Sequence, residues 1–184
     1  MVWKYIQSDY YRYTGKKLSP ILLIKEALFS FNHCYRFTFW LRLASPINNN
    51  KFVRLFSKLI YNHYKIKYGI HIPSSTSIGY GFYIGHGVGI VINGLTKIGN
   101  NVNVSQFLSI GSNKGTPAVI GDNVYIGPNV SIVENVTIGN NALIAAGATV
   151  IRDVPMNSVA AGTPAKNKGE NKHPEFIMNQ WVCD

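Results

Sequence analysis

The chain has 184 residues, of which 46% are hydrophobic, and a formal net charge of +10 at pH 7. This length suits one domain, or one domain with a small appendage. Its two cysteines, Cys34 and Cys183, exclude a disulfide framework, and no Cys/His metal spacing occurs. Residues 1–17 lack the apolar region of a signal peptide, and no apolar run reaches the roughly 18 residues of a spanning helix. We therefore expect a cytoplasmic protein without a metal.

The N-terminal segment, residues 1–70, carries the entire net charge, because it contains 12 Lys and Arg against 2 Asp and Glu. We predict helices over 20–45, continuous or broken once, and over 51–68. The second helix has apolar residues on one face: Phe52, Leu55, Phe56, Leu59, Ile60 and Tyr64. Packed helices with outward Lys and Arg are the simplest interpretation. Contact with the inner face of an anionic membrane is an alternative, and nucleic acid is disfavoured because no binding motif accompanies the charge.

From residue 72 onward, an aliphatic residue recurs every six positions, with two interruptions. The series is Ile72, Ile78, Ile84, Ile90, Ile98, Val104, Ile110, Ile120, Ile126, Ile132, Ile138, Ile144 and Val150. A period of six fits neither an α-helix nor a meander, and it is typical of a triangular coil with one short strand per side. We predict such a β-helix over 71–166, followed by a segment, 167–184, that is either a tail or a strap on a neighbouring subunit.

The interruptions are a slip of two residues between Ile90 and Ile98 and an insertion of four between Ile110 and Ile120. Extra residues cannot enter the core of the coil, so we expect outward loops at 93–95 and 112–119. Binding and catalytic residues are often carried by loops on a rigid scaffold.

The repeats resemble those of the hexapeptide-repeat acyltransferases. The segment GIHIPSSTSIGYGFYIGHGVGIVIN, residues 69–93, is similar to the serine acetyltransferase branch of that family. The resemblance covers about 69–166. It implies a mainly β fold, a left-handed parallel β-helix with an N-terminal α-helical segment, and assembly as a homotrimer that uses acetyl-CoA.

The candidate catalytic base is His86. It lies in IGHGVGIVIN, which resembles the family segment whose histidine is the general base. A neutral imidazole near pH 7 can take the proton of a hydroxyl group as that hydroxyl attacks a thioester carbonyl. Gly85 and Gly87 beside it would let a substrate approach closely.

Two departures from the serine acetyltransferase pattern point away from serine as acceptor. His71 stands where the family has an aspartate that works with the catalytic histidine and the substrate amine, unless His71 is merely an entry residue of the first coil. Thr116 and Pro117 stand where the family has an Arg-His pair for the serine carboxylate. We therefore expect a neutral saccharide hydroxyl as acceptor, as in capsule and O-antigen acetyltransferases. The substrate-binding candidates are His71, Asn93 and Lys114.

The donor side agrees better with the family. IGPNVSI, IAAGATVIRDVP and AAGTPAK resemble the segments that bind acetyl-CoA in the groove between neighbouring coils. Small side chains would let pantetheine lie against the backbone, although plain packing of the coil explains each of them equally well. The donor-binding candidates are Gly111, Ser112, Gly127, Pro128, Ala145, Ala146, Gly147, Arg152 and Lys166, the last two for phosphates.

The sequence thus predicts an acetyl-CoA-dependent O-acetyltransferase that modifies a saccharide hydroxyl by direct transfer, because no Ser or Cys nucleophile with an adjacent base is evident. Serine O-acetylation, as in cysteine biosynthesis, is the alternative within this class. A non-catalytic β-helix that binds a partner or a membrane is the alternative from another class, and His86 and the donor segments disfavour it.

Overall fold

The computed structural model describes residues 1–113, 115–133 and 135–182. Its first part consists of helices, whose bounds are α1 Val2–Thr14, α2 Pro20–Phe29, α3 His33–Ala44 and α4 Lys51–Tyr68. The stretch predicted over 20–45 is broken after α2, because the side chain of Asn32 caps α3. Asn50 caps α4 in the same way, and α4 ends at Gly69, whose φ is 64°. Within the described ranges, none of the helices combines the length and the apolar character needed to cross a membrane.

Fifteen short strands follow in the described part of the chain. In chain order they are β1 Ile70–His71, β2 Ser77–Ile78, β3 Tyr83–Ile84, β4 Ile90–Ile92, β5 Lys97–Ile98, β6 Asn103–Val104, β7 Ser109–Ile110, β8 Val119–Ile120, β9 Tyr125–Ile126, β10 Ser131–Ile132, β11 Thr137–Ile138, β12 Leu143–Ile144, β13 Thr149–Val150, β14 Ser158–Ala161 and β15 Lys166–Glu170.

These strands form the three sides of a parallel β-helix, as predicted. Sheet 1 has the order β1-β4-β7-β10-β13, sheet 2 has β11-β8-β5-β2, and sheet 3 has β15-β14-β12-β9-β6-β3. The strand pairs are parallel, apart from β14 and β15, which form an antiparallel hairpin. From β1 to β14, consecutive strands of the chain therefore belong to different sheets, and each turn of the coil stacks on the preceding one.

The core of the coil is a set of aliphatic columns. In sheet 1 the column consists of Ile72, Ile92, Ile110, Ile132 and Val150, each at most 2% exposed. Each such side chain contributes about 1.5–3 kcal/mol by leaving water. Because the inward positions must stay in register, a turn of unusual length has to project outward.

The two-residue slip does not lie at 93–95, and that prediction was wrong. β1 pairs with β4 in the register Ile70↔Ile90 and His71↔Val91, so Ile92, rather than Ile90, continues the sheet 1 column. Eight positions therefore separate Ile84 from Ile92, whereas six separate Val104 from Ile110 one coil later. The two extra residues belong to the turn between β3 and β4, which is the turn that carries His86.

Asparagines at the corner between sheets 2 and 3 form a hydrogen-bonded ladder. Asn101, Asn123, Asn141 and Asn157 have φ values of 54–58°, and each side-chain amide donates to the next, over 2.9–3.2 Å. Short polar side chains tolerate this left-handed conformation. Asn101 ends the ladder by accepting a hydrogen bond from the backbone N–H of Trp181.

The C-terminal segment lies against its own protomer. The Nε of Arg12 donates to the carbonyl of Met178 over 2.8 Å, and the side chain of Asn179 donates to the carbonyl of Arg12. Asn103 donates to the carbonyl of Phe176. The segment thus runs back along the coil and reaches α1.

A buried ion pair joins the helices to the first coil. Arg42 on α3 donates from Nε and Nη2 to the carboxylate of Asp9 on α1, over 2.7 and 2.9 Å. Asp9 also accepts from the N–H of Phe82, and Arg42 donates to the carbonyls of Ile78 and Gly79. Burial raises the pKa of Asp9 in spite of the neighbouring guanidinium. The buried charges of Asp9 and Arg42 are therefore stable only while each has the other and its backbone hydrogen bonds.

We expect Asp9→Ala to lower the free energy of unfolding by about 3–5 kcal/mol, because it leaves the Arg42 guanidinium buried without a counter-charge. Chemical denaturation followed by circular dichroism measures this change. Glu175→Ala, which removes an exposed ion pair with His173, is the control and should leave the midpoint unchanged. Equal midpoints for the two variants would contradict the role of the buried pair.

Candidate active site

The turn that carries His86 comprises residues 85–89 and leads from sheet 3 into sheet 1. The side chain of His86 is exposed, and the N–H of Val88 donates to its backbone carbonyl over 3.1 Å. Among the described residues no side chain makes a hydrogen bond to the His86 imidazole. The imidazole therefore faces solvent from an outward loop on a rigid coil, where a substrate can reach it.

Gly87 is needed for packing. A Cβ at this position would lie 2.9 Å from Cδ1 of Ile70 and 3.0 Å from Sγ of Cys34. Gly87 is therefore required by packing against Ile70 and Cys34, and not, as expected, by the approach of a substrate. The turn rests on β1 and on the first turn of α3, and this packing fixes the position of His86.

Next to His86, one coil later, lie two residues that the sequence analysis missed. The N–H of Gly85 donates to the carbonyl of Val104, and the N–H of Phe107 donates to the carbonyl of Val88. These two hydrogen bonds set Ser105 and Gln106 alongside the lengthened turn.

Gln106 has a buried Oε1 atom without a hydrogen-bond partner in the described part of the chain. Phe107 is exposed with a φ of 59°, a strained conformation for an aromatic residue, and its ring lies against Gly89. Asn129 and Gly147 have positive φ at later turns of the same edge. Phe107 therefore occupies a corner position where the later coils have Asn or Gly. This unusual residue is visible in the sequence and could have drawn attention to the neighbouring Gln106.

His71 lies on β1 with its side chain exposed, opposite Val91 on β4. It belongs to the outer face of sheet 1, whose first strand adjoins the His86 turn through Ile70. Within the described ranges no hydrogen bond or ring contact joins the two imidazoles. His71 thus shares the end of the coil with His86 but does not orient it.

Several predicted donor-binding residues lie on the same edge as His86. The turns from sheet 3 into sheet 1, here called the 3–1 edge, comprise 85–89, 105–108, 127–130 and 145–148. The N–H of Asn129 donates to the carbonyl of Gln106, and that of Gly147 to the carbonyl of Pro128. With about 4.8 Å between neighbouring strands, Ala146 lies about 14 Å from His86 along the edge. Gly127, Pro128, Ala145, Ala146 and Gly147 therefore form one line with the candidate base.

Gly127 is a second glycine that is required by packing within the protein. A Cβ there would lie 2.8 Å from the backbone nitrogen of Ala146, so the next coil passes directly over it. Gly147, in contrast, has a φ of 71° and no atom within 4 Å of a Cβ position. Of the two, Gly147 is the one whose surface is open to a ligand.

Other predicted site residues lie on the opposite edge of sheet 1. The turns from sheet 1 into sheet 2, here called the 1–2 edge, include 93–96, 111–113 and 151–153. A cavity of about 260 Å³ lies there, lined by Ser109, Gly111, Ser112, Asn113, Ser131, Ile132 and Val133. The predicted residues on this edge are Asn93, Gly111, Ser112 and Arg152.

Asn93 and Lys166 differ from the other predicted site residues in their surroundings. The Oδ1 of Asn93 accepts a hydrogen bond from the N–H of Leu95, so it stabilises its own turn. Lys166 begins the exposed strand β15, opposite Ala161. Lys114 lies outside the described residues.

The described residues contain no group of three or more His, Cys, Asp or Glu side chains that could hold a metal ion. The geometry instead offers an exposed imidazole, a buried amide oxygen without a partner and a line of small residues. A base and a binding edge of this kind suit group transfer to a hydroxyl group.

Comparisons with known proteins decide the family. Residues 117–152 match the model described as bacterial transferase hexapeptide, six repeats. Serine acetyltransferase from Helicobacter pylori is 30% identical over 132 residues, which are 68% of this chain and 75% of that protein. The chain belongs to the serine acetyltransferase family. It spans between 33% and 59% of the length of the first three curated relatives.

Solved structures of family members have the same architecture. Serine acetyltransferase from Vibrio cholerae superimposes with a TM-score of 0.75 at 22% identity, covering 94% of this chain and 69% of that one. The Neisseria gonorrhoeae enzyme, solved in complex with serine, gives 0.68 at 27% identity, covering 91% and 69%. The first of these likenesses concerns the fold alone.

The prediction of a saccharide acceptor was wrong. The relatives and structural neighbours are consistently serine acetyltransferases. Two departures from the family pattern, at His71 and in the loop after β7, were the basis of that inference, and the similarity of the rest of the chain outweighs them.

We expect Gly87→Ala to lower the melting temperature and the free energy of unfolding by about 1–3 kcal/mol, because the added methyl group overpacks the contact with Ile70 and Cys34. Gly111→Ala is the matched control, since a Cβ there would meet no atom within 4 Å. Calorimetry or thermal circular dichroism on both variants measures the difference. A loss in Gly111→Ala as large as that in Gly87→Ala would contradict this account of the turn.

Proposed function

We propose that the protein is an acetyl-CoA-dependent serine O-acetyltransferase with His86 as general base. The observation that supports this most is the position of His86 on the lengthened turn, where its side chain is exposed to an approaching substrate. Membership of the serine acetyltransferase family supports the acceptor. The donor is supported by a solved serine acetyltransferase in complex with CoA.

In the proposed reaction, His86 accepts the proton of the serine hydroxyl while its oxygen attacks the acetyl carbonyl. The new C–O bond forms, the C–S bond breaks, and the imidazolium returns the proton to the sulfur of CoA. His86 is then neutral again and ready for another turnover. Its exposed imidazole suits this role, because both substrates must approach the same nitrogen.

Direct transfer is favoured over an acyl-enzyme. Cys34 is the thiol beside the His86 turn, and its Sγ lies 3.5 Å from Nε2 of His33. However, burial raises the pKa of the Cys34 thiol to about 11, and the nucleophile of thiol catalysis is the thiolate. Cys34 is therefore a packing residue that stays protonated near pH 7.

Gln106 is our candidate acceptor for the ammonium group of serine. The family aspartate is replaced by His71, and an imidazole carries no negative charge to pair with an ammonium group. Gln106 lies one coil beyond the His86 turn, and its Oε1 has no hydrogen-bond partner in the described part of the chain. An unsatisfied oxygen of this kind gains most from a charged donor. Lys114 stays a predicted substrate-binding residue.

A neighbouring copy would complete the site. The predicted residues lie on the two opposite edges of sheet 1, with His86 and Gly147 on the 3–1 edge and Ser112 and Arg152 on the 1–2 edge. A groove between two coils would set one edge of one copy against the other edge of the next. We therefore include a homotrimer in the proposal.

We expect release of CoA from acetyl-CoA in the presence of L-serine, and we expect His86→Asn to lower kcat by about a hundredfold or more, because the amide cannot accept the hydroxyl proton. A thiol reagent measures CoA release, and calorimetry measures acetyl-CoA binding, which should be unchanged. His173→Asn, an exposed histidine in the C-terminal segment, is the control. Full turnover by His86→Asn would contradict the base, whereas no turnover with L-serine by the native protein would contradict the acceptor.

We expect Gln106→Leu, which keeps the volume and removes the amide, to raise KM for L-serine by about tenfold or more, because the ammonium group loses a charge-assisted hydrogen bond. The KM for acetyl-CoA should stay the same. Steady-state kinetics with each substrate varied in turn provides the measurement, and Gln180→Leu in the C-terminal segment is the control. An equal rise of both KM values would indicate a general disturbance of the site and would contradict the assigned role.

A further inference from the structure

Helix α4 presents its apolar side to solvent. Its buried residues are Ser57 and Tyr61. The exposed ones include a group that we call the apolar stripe: Phe52 (88% exposed), Leu55 (67%), Phe56 (63%), Leu59 (69%) and Ile66 (81%). Of the face that the sequence pattern suggests for packing, only Ile60 and Tyr64 pack against the core, and the other four side chains are largely exposed.

The stripe is narrow and continuous. At about 100° per residue, its five side chains fall within an arc of about 100°, on the side of α4 opposite Ser57 and Tyr61. An apolar arc of this width is what a helix buries against a core or a membrane surface.

The apolar surface extends beyond α4. A groove of about 250 Å³ connects Val53 and Phe56 with Ile24 and Leu28 of α2, and Trp40 of α3 lines its floor. The indole N–H of Trp40 is buried and has no partner in the described part of the chain. On α2 and after it, Ile21, Phe29 and Phe31 are 78%, 74% and 102% exposed. Exposed apolar surface of this extent marks an interaction site.

Cations border the stripe on one flank. Lys51, Lys58 and Lys65 are spaced by seven residues, so they line up along α4 beside Leu55 and Leu59. Two adjoining clefts of about 240 and 210 Å³ are both lined by Arg54 and Lys58.

The opposite charge is nearly missing from this part of the chain. α4 contains no Asp or Glu, and the N-terminal segment has only Asp9, which is paired with Arg42 inside the protein, and Glu26. The surface therefore combines apolar side chains with unbalanced positive charge.

We propose that α4 lies flat in the interface of an anionic phospholipid bilayer, with the apolar stripe among the acyl chains and Lys51, Lys58 and Lys65 at the lipid phosphates. Charge complementarity selects this occupant. A second copy of the same face would bring like-charged lysines together, which is unfavourable, whereas anionic headgroups attract each of them.

The dimensions of α4 are also compatible with a helix that lies at the surface of a bilayer. α4 has 18 residues, about 27 Å at 1.5 Å per residue, and an interfacial helix buries its apolar face only about 5–10 Å deep. The coil and the His86 turn would then stay in water. The proposal is independent of the acetyltransferase reaction, because it uses no residue of the candidate site.

Flotation of the full-length protein with vesicles tests the proposal. We expect binding to vesicles of equal parts phosphatidylglycerol and phosphatidylcholine, and much weaker binding to phosphatidylcholine alone, with a decrease as salt is raised. Leu55→Ser with Leu59→Ser should weaken binding by at least about tenfold. Lys51→Gln, Lys58→Gln and Lys65→Gln combined should do the same on anionic vesicles.

The controls are matched in chemistry and exposure. Leu95→Ser removes a leucine that is also 67% exposed but lies on the coil, and Lys97→Gln, Lys168→Gln and Lys172→Gln combined remove three cations outside the N-terminal segment. Both should bind like the native protein. Thermal unfolding confirms that all variants are folded.

Three results would overturn the proposal. They are absence of binding to anionic vesicles, equal binding to neutral ones, and equal weakening by the control variants. Sedimentation equilibrium gives the competing outcome: if the leucine double variant reduces the assembly mass and the native protein ignores vesicles, the stripe is a contact between copies of this chain.

Discussion

The structure depends on keeping aliphatic side chains in register between stacked coils. Ile92 lies over Ile110, and Ile110 over Ile132, with no space for an additional residue inside. Because the interior tolerates no change of length, every insertion is expelled to an edge and held there by rigid strands. The same constraint that stabilises the coil therefore builds the outward turn of His86 and the larger loop after β7. The candidate catalytic base, His86, is thus located where the six-residue repeat is interrupted.

Buried polar contacts help to attach the helices to the coil. Asp9, Arg12 and Arg42 are buried and bind backbone groups of the first coil, which would otherwise be the open end of the ladder. Burial lowers the pKa of Arg12 to about 10 and raises that of Asp9. Removing these charged groups from water is unfavourable, and their hydrogen-bond and charge partners compensate for it.

The sixfold repeat was sufficient to predict the β-helix, because only the inward position has to be aliphatic and that position is visible in the sequence. It could not distinguish Ile90 from Ile92 as the continuing residue, since both are buried in β4 and the pairing with β1 decides. The unpaired oxygen of Gln106 depends on the neighbouring coil, which no local pattern reveals. His71 was overinterpreted: one substituted position changes how an acceptor is held before it changes which acceptor is bound.

The contacts of Arg12 with Met178 and Asn179 join parts of the chain that are 166 and 167 residues apart. Contacts so distant in sequence are slow to form, because the intervening chain must be ordered first. During synthesis, α1 emerges early and cannot complete these hydrogen bonds until nearly the whole coil has been translated. The hydrogen bonds between α1 and the C-terminal segment are therefore among the last that can form as the chain is synthesised.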